Sequence, residues 1–196
     1  LKTKVNSLYF YGEENPTGDT TGPEYLLQEL STILGQPINY WLVMDCPNLA
    51  DLVDAIGGVD VEVDKGFVDE EFPNPEYVKA TESGAPVYVT VKFDEGVEHM
   101  NGNRALQLVR SRKSEDVESG SDTARSDRQL VLFQALMRRM RSKAVLVDPK
   151  KLGSLYKFWQ EKVNKNLKDE DLLGILFGNK DALKRGVLIS TTGIPS

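Results

Sequence analysis

Asn101-Gly-Asn-Arg-Ala-Leu-Gln-Leu-Val-Arg110-Ser-Arg112 leads, across residues 113–120, into Ser121-Asp122-Thr-Ala-Arg125-Ser-Asp-Arg128-Gln129-Leu-Val-Leu-Phe133-Gln-Ala-Leu-Met137-Arg-Arg-Met140. The second part reads as a long helix starting near Ser121. At roughly 100° per residue, positions 122, 125, 129, 133, 136, 137 and 140 share one face. Asp122, Arg125 and Gln129 therefore continue a stripe whose buried part is expected to be Phe133, Leu136, Met137 and Met140. Charged groups aimed where core residues would sit usually hold something; a solvated first turn is the ordinary alternative. Arg138, Arg139, Arg141 and Lys143 are read as lying off the stripe, complementing the negative helix end and meeting water. Arg110 and Arg112, two apart, share a side only if the backbone is extended there, so the helix that begins at 102 is expected to end near 109.

Arginine's rigid fork of donors matches phosphate oxygens, and its charge survives partial desolvation. A helix N-terminus adds free N–H groups and a favourable dipole. Together they point to a polyanionic ligand at this stretch. Asp122 either orients the guanidiniums or serves only as the N-cap or as a first-turn anion.

Working outward, Val87, Val89, Val91 and Phe93 alternate with polar residues, as do Val59, Val61 and Val63, and both runs read as strands. Ile38–Met44 is nearly continuously apolar and is expected to be a strand covered on both faces at the sheet centre. Thr21-Gly-Pro-Glu24 carries a helix start, with Gly35 at the stop. Asp45 and Pro47 open another helix, ended by Gly57-Gly58. Residues 148–162 and 169–183 read as amphipathic helices, 186–190 as a closing strand, and 1–11 as a short buried element of uncertain type. Asp64–Pro86 reads as one long loop, and His99 as a surface residue in a turn. The order of these elements gives an α/β class.

At 196 residues with 40% hydrophobic composition, the chain suits a single domain over 1–196. A formal net charge of −6 argues against a general nucleic-acid surface, so any anion site must be local. The lone cysteine, Cys46, excludes an intrachain disulfide and is read as a small buried filler. No stretch reaches the roughly 18–20 apolar residues that cross a bilayer.

Three motifs in order, Leu52-Val-Asp-Ala-Ile-Gly-Gly-Val-Asp60, Asn101-Gly-x-x-Ala-Leu106 leading into Arg110-Ser-Arg112-Lys113, and Asp122-x-x-Arg125-x-x-Arg128-Gln129, closely resemble the LytR-CpsA-Psr family of bacterial cell-envelope proteins. Lys4-Val-Asn-Ser-Leu-Tyr-Phe-Tyr-Gly12 joins them, and the match spans nearly the whole chain. The resemblance implies a three-layer α/β/α domain with a central mixed sheet, and an extracytoplasmic phosphotransferase that moves a glycopolymer, such as wall teichoic acid or capsule, from a polyprenyl-pyrophosphate carrier to peptidoglycan. It implies a pyrophosphate held by Arg110, Arg112, Arg125, Arg128, Gln129 and Lys4, with Asp122 and Arg125 as the catalytic pair. It implies magnesium, whose ligands should lie on strands preceding this chain, together with an N-terminal membrane anchor; the acidic groups at 69–71 and 115–118 are read as solvated, and no metal ligand is assigned within 1–196. A lipid-binding or pyrophosphatase protein without transfer activity, and a transcriptional regulator, are the alternatives. No helix-turn-helix signature supports the last, and no nucleic-acid partner is expected.

Overall fold

Described in the computed structural model are residues 5, 7–18, 20–74, 86–112 and 121–171, with Asp122 described by its backbone alone. In chain order the elements are α1 (Ser7–Glu14), α2 (Gly22–Leu34), β1 (Leu42–Val43), α3 (Cys46–Ala55), β2 (Val59–Val63), β3 (Phe67–Pro73), β4 (Tyr88–Phe93) and β5 (Gly96–Met100). They continue with α4 (Gly102–Arg110), α5 (Asp122–Met140), α6 (Lys143–Leu146), α7 (Pro149–Glu161) and β6 (Asn164–Lys165). Two compact units divide the chain, Cys46–Lys162 and the flanking segments Leu1–Asp45 with Val163–Ser196.

In the flanking unit, α2 begins where its start signal lies: the Thr21 N–H and hydroxyl donate to the Glu24 carboxylate, and Gly35 closes the helix at φ 65°. Burial pushes the Glu24 carboxyl up, but these hydrogen bonds and one from Trp41 outweigh it and leave it below its ordinary value. The run 38–44 departs from expectation. Only Leu42–Val43 form a strand, paired antiparallel with Lys165 and Asn164, and Leu42 is exposed. The Trp41 N–H goes to the Asn166 side chain and its indole N–H to Glu24, so this backbone is satisfied by side chains in place of a central ladder.

The larger unit is built on one bent antiparallel ribbon. β2 pairs with β5 (Val59↔Met100 to Val63↔Gly96), and β3 with β4 (Phe67↔Phe93 to Pro73↔Tyr88), with a register shift between Asp69 and Phe72. The bend falls at 64–66, where a Cβ on Gly66 would come within 2.9 Å of the Phe93 carbonyl. Inward-facing Val59, Val61, Val63, Phe67, Phe72, Val91, Phe93 and Met100 form the core with α3, α4 and α5, while Asp60, Glu62 and Lys92 face out. The α/β class holds, but every strand pairing among the described residues is antiparallel, and the mixed central sheet expected in three layers is not seen there. β3 lies in the stretch read as one long loop, and β5 carries His99, which is exposed as expected but pairs with Asp60 across the ribbon (Nδ1 to Oδ1 2.6 Å). Residues 186–190 and most of 169–183 fall outside the described residues.

The glycine motifs are architectural. At the end of α3 the Gly58 N–H reaches the Val53 carbonyl (2.9 Å) and the Gly57 N–H the Asp54 carbonyl (3.0 Å), with both glycines at positive φ, a Schellman termination. Asp54 Oδ1 accepts the Gly102 N–H at 2.7 Å, and Asn101 caps α4 by accepting from the Arg104 N–H.

α5 buries Leu132, Ala135 and Leu136, with Val131 and Met140 packed alongside, whereas Phe133 is 41% exposed. Its buried face is thus rotated by roughly one residue, about 100°, from the stripe the sequence indicated. Arg128 and Arg139 sit near its centre. Arg139 is therefore not a solvent-facing charge: its Nε and Nη2 donate to the Ile56 and Gly57 carbonyls (3.3 and 3.2 Å), capping α3. Arg139→Ala should lower the unfolding free energy by about 1–2 kcal/mol. An unchanged urea midpoint would show that water serves those carbonyls equally well. Cys46, expected to be a buried filler, is exposed at the start of α3.

Candidate functional site

α4 stops at Arg110 and Ser111 is extended (φ −58°, ψ 128°), as sharing a side between Arg110 and Arg112 requires. Exposure then alternates: Arg110 and Arg112 are exposed, and Ser111 between them is 1% exposed. Ser111 closes the helix end, its N–H and Oγ–H both donating to the Gln107 carbonyl (3.1 and 2.8 Å). The Arg110 guanidinium lies 5.9 Å from the Phe72 ring centroid.

Across from this segment is the N-terminal part of α5, capped by Ser121, whose hydroxyl accepts the Ala124 N–H at 3.1 Å. Ser121 thus holds the N-cap position that was one alternative for Asp122. Arg128 ties α5 to the segment: its Nε donates to the Leu108 carbonyl (3.1 Å), its Nη2 to the Ser111 carbonyl (2.7 Å), and its Cζ lies over the Phe67 ring, 4.7 Å from the centroid. Burial pushes its guanidinium below the ordinary value, with Asp69 and Asp127 acting against that and Arg125 with it. It stays charged at neutral pH. Arg125, one turn earlier, and Gln129 are half-buried on the flank of the same face, with Arg125 Nε and Gln129 Nε2 shielded from solvent. The structure thus joins Arg128, with Arg125 near it, to the backbone of the segment that carries Arg110 and Arg112; Lys4 and the Asp122 side chain lie outside what is described.

The residue that sequence reasoning missed is Asp69. Read as solvated, it is 1% exposed on β3, its Oδ2 accepting the Arg112 N–H at 2.9 Å and its Oδ1 the Glu71 N–H at 3.1 Å. The available signal was its two-residue spacing from Phe67, which puts both on the inner face of a strand. Arg104, also not singled out, is architectural: it grips Glu98 with Nε and Nη2 (2.6 and 3.1 Å), donates to the Lys92 carbonyl and lies 3.7 Å over Phe93, which stacks on Phe67.

A recess of about 240 Å³ opens beside Arg128, lined by Val61, Val63, Phe67, Leu108 and Val131 and also by the charged Glu62, Asp64, Lys65 and Asp127. Among the described residues no three His, Cys, Asp or Glu side chains converge as metal ligands, and Asp69 is engaged by backbone N–H groups. Nor is any described helix long and apolar enough to cross a membrane.

The model of the LytR_cpsA_psr family matches residues 1–194. Among curated relatives, the polyisoprenyl-teichoic acid–peptidoglycan teichoic acid transferase TagV of Bacillus subtilis (strain 168) is 30% identical over 141 residues, 72% of this chain and 30% of the relative. The corresponding transferase TagU of Bacillus anthracis is 26% identical over 190 residues, 97% of this chain and 52% of the relative. The chain thus spans about half the length, or less, of these relatives. The crystal structure of B. subtilis TagV is similar over 88% of this chain and 55% of that one, with a TM-score of 0.60 and 26% identity. A LytR-Csp2A-Psr enzyme from Actinomyces oris shares the fold, with a TM-score of 0.60 and 22% identity over 83% of this chain and 57% of that one.

Proposed function

The chain belongs to the LytR_cpsA_psr family, and on that premise we propose that it is the catalytic part of an extracytoplasmic phosphotransferase that moves a glycopolymer from a polyprenyl-pyrophosphate carrier to peptidoglycan. The observation that carries this reading is the pair of exposed arginines flanking buried Ser111, set beside the arginine-bearing start of α5. In this reading Arg110, Arg112, Arg125, Gln129 and Lys4 hold the pyrophosphate, with Arg128 adjoining. A peptidoglycan hydroxyl attacks the glycan-side phosphorus, the bond to the bridging oxygen breaks, polyprenyl phosphate leaves, and the hydroxyl proton passes to water. The product is a phosphodiester. Such a transfer needs positioning and charge stabilisation more than covalent help. Arg125 supplies charge at the reacting phosphate, and Asp122 orients the guanidiniums.

We propose that the magnesium ligands, like the membrane attachment, lie outside residues 1–196. The recess beside Arg128, which Val61, Val63, Phe67, Leu108 and Val131 line together with Glu62, Asp64, Lys65 and Asp127, is a place for the first part of the prenyl chain. Moving that chain from bilayer to protein exchanges one apolar surrounding for another, so the roughly 0.8 kcal/mol per methylene gained on leaving water is mostly absent. Charge-assisted bonds of about 1.5–3 kcal/mol each outweigh it, and head-group contacts set affinity.

The test incubates the full-length protein with a lipid-linked glycan and peptidoglycan and looks by mass spectrometry for the phosphodiester-linked product. Release of free glycan phosphate without linkage would favour a hydrolase instead. Duplex binding is a second check: Arg104, Arg128 and Arg139 are turned to carbonyls and to Glu98, so no footprint on a defined operator is expected at physiological salt.

A further inference from the structure

We propose that Arg128 and Asp69 are positioning residues, which clamp residues 108–112 from two sides so that Arg110 and Arg112 present their guanidiniums together. This rests on the pyrophosphate reading above and deepens it.

Nε and Nη2 form one edge of a guanidinium, the edge whose parallel N–H groups would suit a phosphate. In Arg128 that edge is spent on the Leu108 and Ser111 carbonyls, and its Cζ lies over the Phe67 ring. Arg128 is thus turned toward the backbone of the arginine-bearing segment. Asp69 approaches from β3 and takes the next N–H along, that of Arg112. Ser111 contributes the third restraint through the Gln107 carbonyl.

A helix end leaves its last carbonyls without intrahelical partners, and an extended residue after it is ordinarily free to swing. Here the terminal carbonyls and the following N–H are held by groups from α5 and β3, both packed into the core. Arg110 and Arg112 lie two residues apart on an extended backbone, a spacing of roughly 6–7 Å. That is short enough for two long side chains to converge on one diphosphate. Pinning them before the ligand arrives removes ordering that binding would otherwise have to supply.

Charge alone and positioning predict opposite signs for one variant. Asp69→Asn removes a negative charge beside the arginines, which by electrostatics alone would tighten anion binding. Its amide can accept from only one of the two N–H groups that Asp69 serves, so positioning predicts weaker binding. Arg128→Lys keeps the charge but has no fork for two carbonyls.

The measurement is affinity of the full-length protein for farnesyl pyrophosphate, with melting temperature followed in parallel. Arg112→Ala should weaken binding at least tenfold, and Asp69→Asn and Arg128→Lys each at least fivefold. In an Arg110→Ala/Arg112→Ala background either substitution should change affinity by less than twofold, because the groups it positions are gone. Tighter binding by Asp69→Asn, or undiminished effects of both substitutions in the double-alanine background, would overturn the clamp while leaving the pyrophosphate reading standing. No loss in Arg112→Ala would remove that reading and the clamp with it. If Asp69→Asn does not fold, Arg128→Lys carries the comparison alone.

Discussion

Gly102→Ala should destabilise the protein by about 3–5 kcal/mol, a large share of the roughly 5–15 kcal/mol that typically holds a domain folded. A Cβ on Gly102 would lie 2.3 Å from the Ala50 carbonyl oxygen, 2.7 Å from its carbon and 2.8 Å from its Cα. All three are backbone atoms of α3, so no rotamer change can relieve them. The helices must separate, which opens the packing of α3 against α4 and stretches the 2.7 Å hydrogen bond from the Gly102 N–H to Asp54. Gly153 is the control. It lies within α7 with nothing inside 4 Å of its Cβ position, and Gly153→Ala should stabilise by about 0.5–1 kcal/mol. Urea unfolding of both variants tests the contrast; a loss below about 1 kcal/mol for Gly102→Ala would show that α3 and α4 can shift apart at little expense.

Arg112→Ala and Arg125→Ala should each lower kcat/KM for glycopolymer transfer at least a hundredfold, about 2.7 kcal/mol at roughly 1.36 kcal/mol per tenfold. This size matches one charge-assisted contact that tightens as charge develops on the reacting phosphate. Lysine at either position should restore only part of the rate, since it keeps the charge without the fork. The Arg112 side chain is exposed, so its melting temperature should barely move. Losses of stability that parallel the losses of rate would make the cluster a structural one and end the phosphotransfer reading of these residues.

Signals carried by near neighbours in the chain were legible without the structure. The starts of α2 and α4, the glycine stop of α3, the alternation of β2 and β4, and the change to extended backbone after Arg110 each follow from hydrogen-bond geometry over a few residues. Which way α5 faces was not legible. Leu130, Val131, Leu132, Phe133, Leu136, Met137 and Met140 leave apolar side chains around more than half of that helix, so periodicity supports more than one buried face. Packing against β2 and α4 selects the face centred on Arg128 and Arg139, and so makes these two arginines caps of α4 and α3. Asp69 belongs to the same class of outcome. Its neighbours Glu70 and Glu71 are exposed, and an acidic run reads as solvated until a bent ribbon turns one member inward. The Arg112 N–H that makes burial of its carboxylate tolerable comes from 43 residues away, and only the folded chain brings it there.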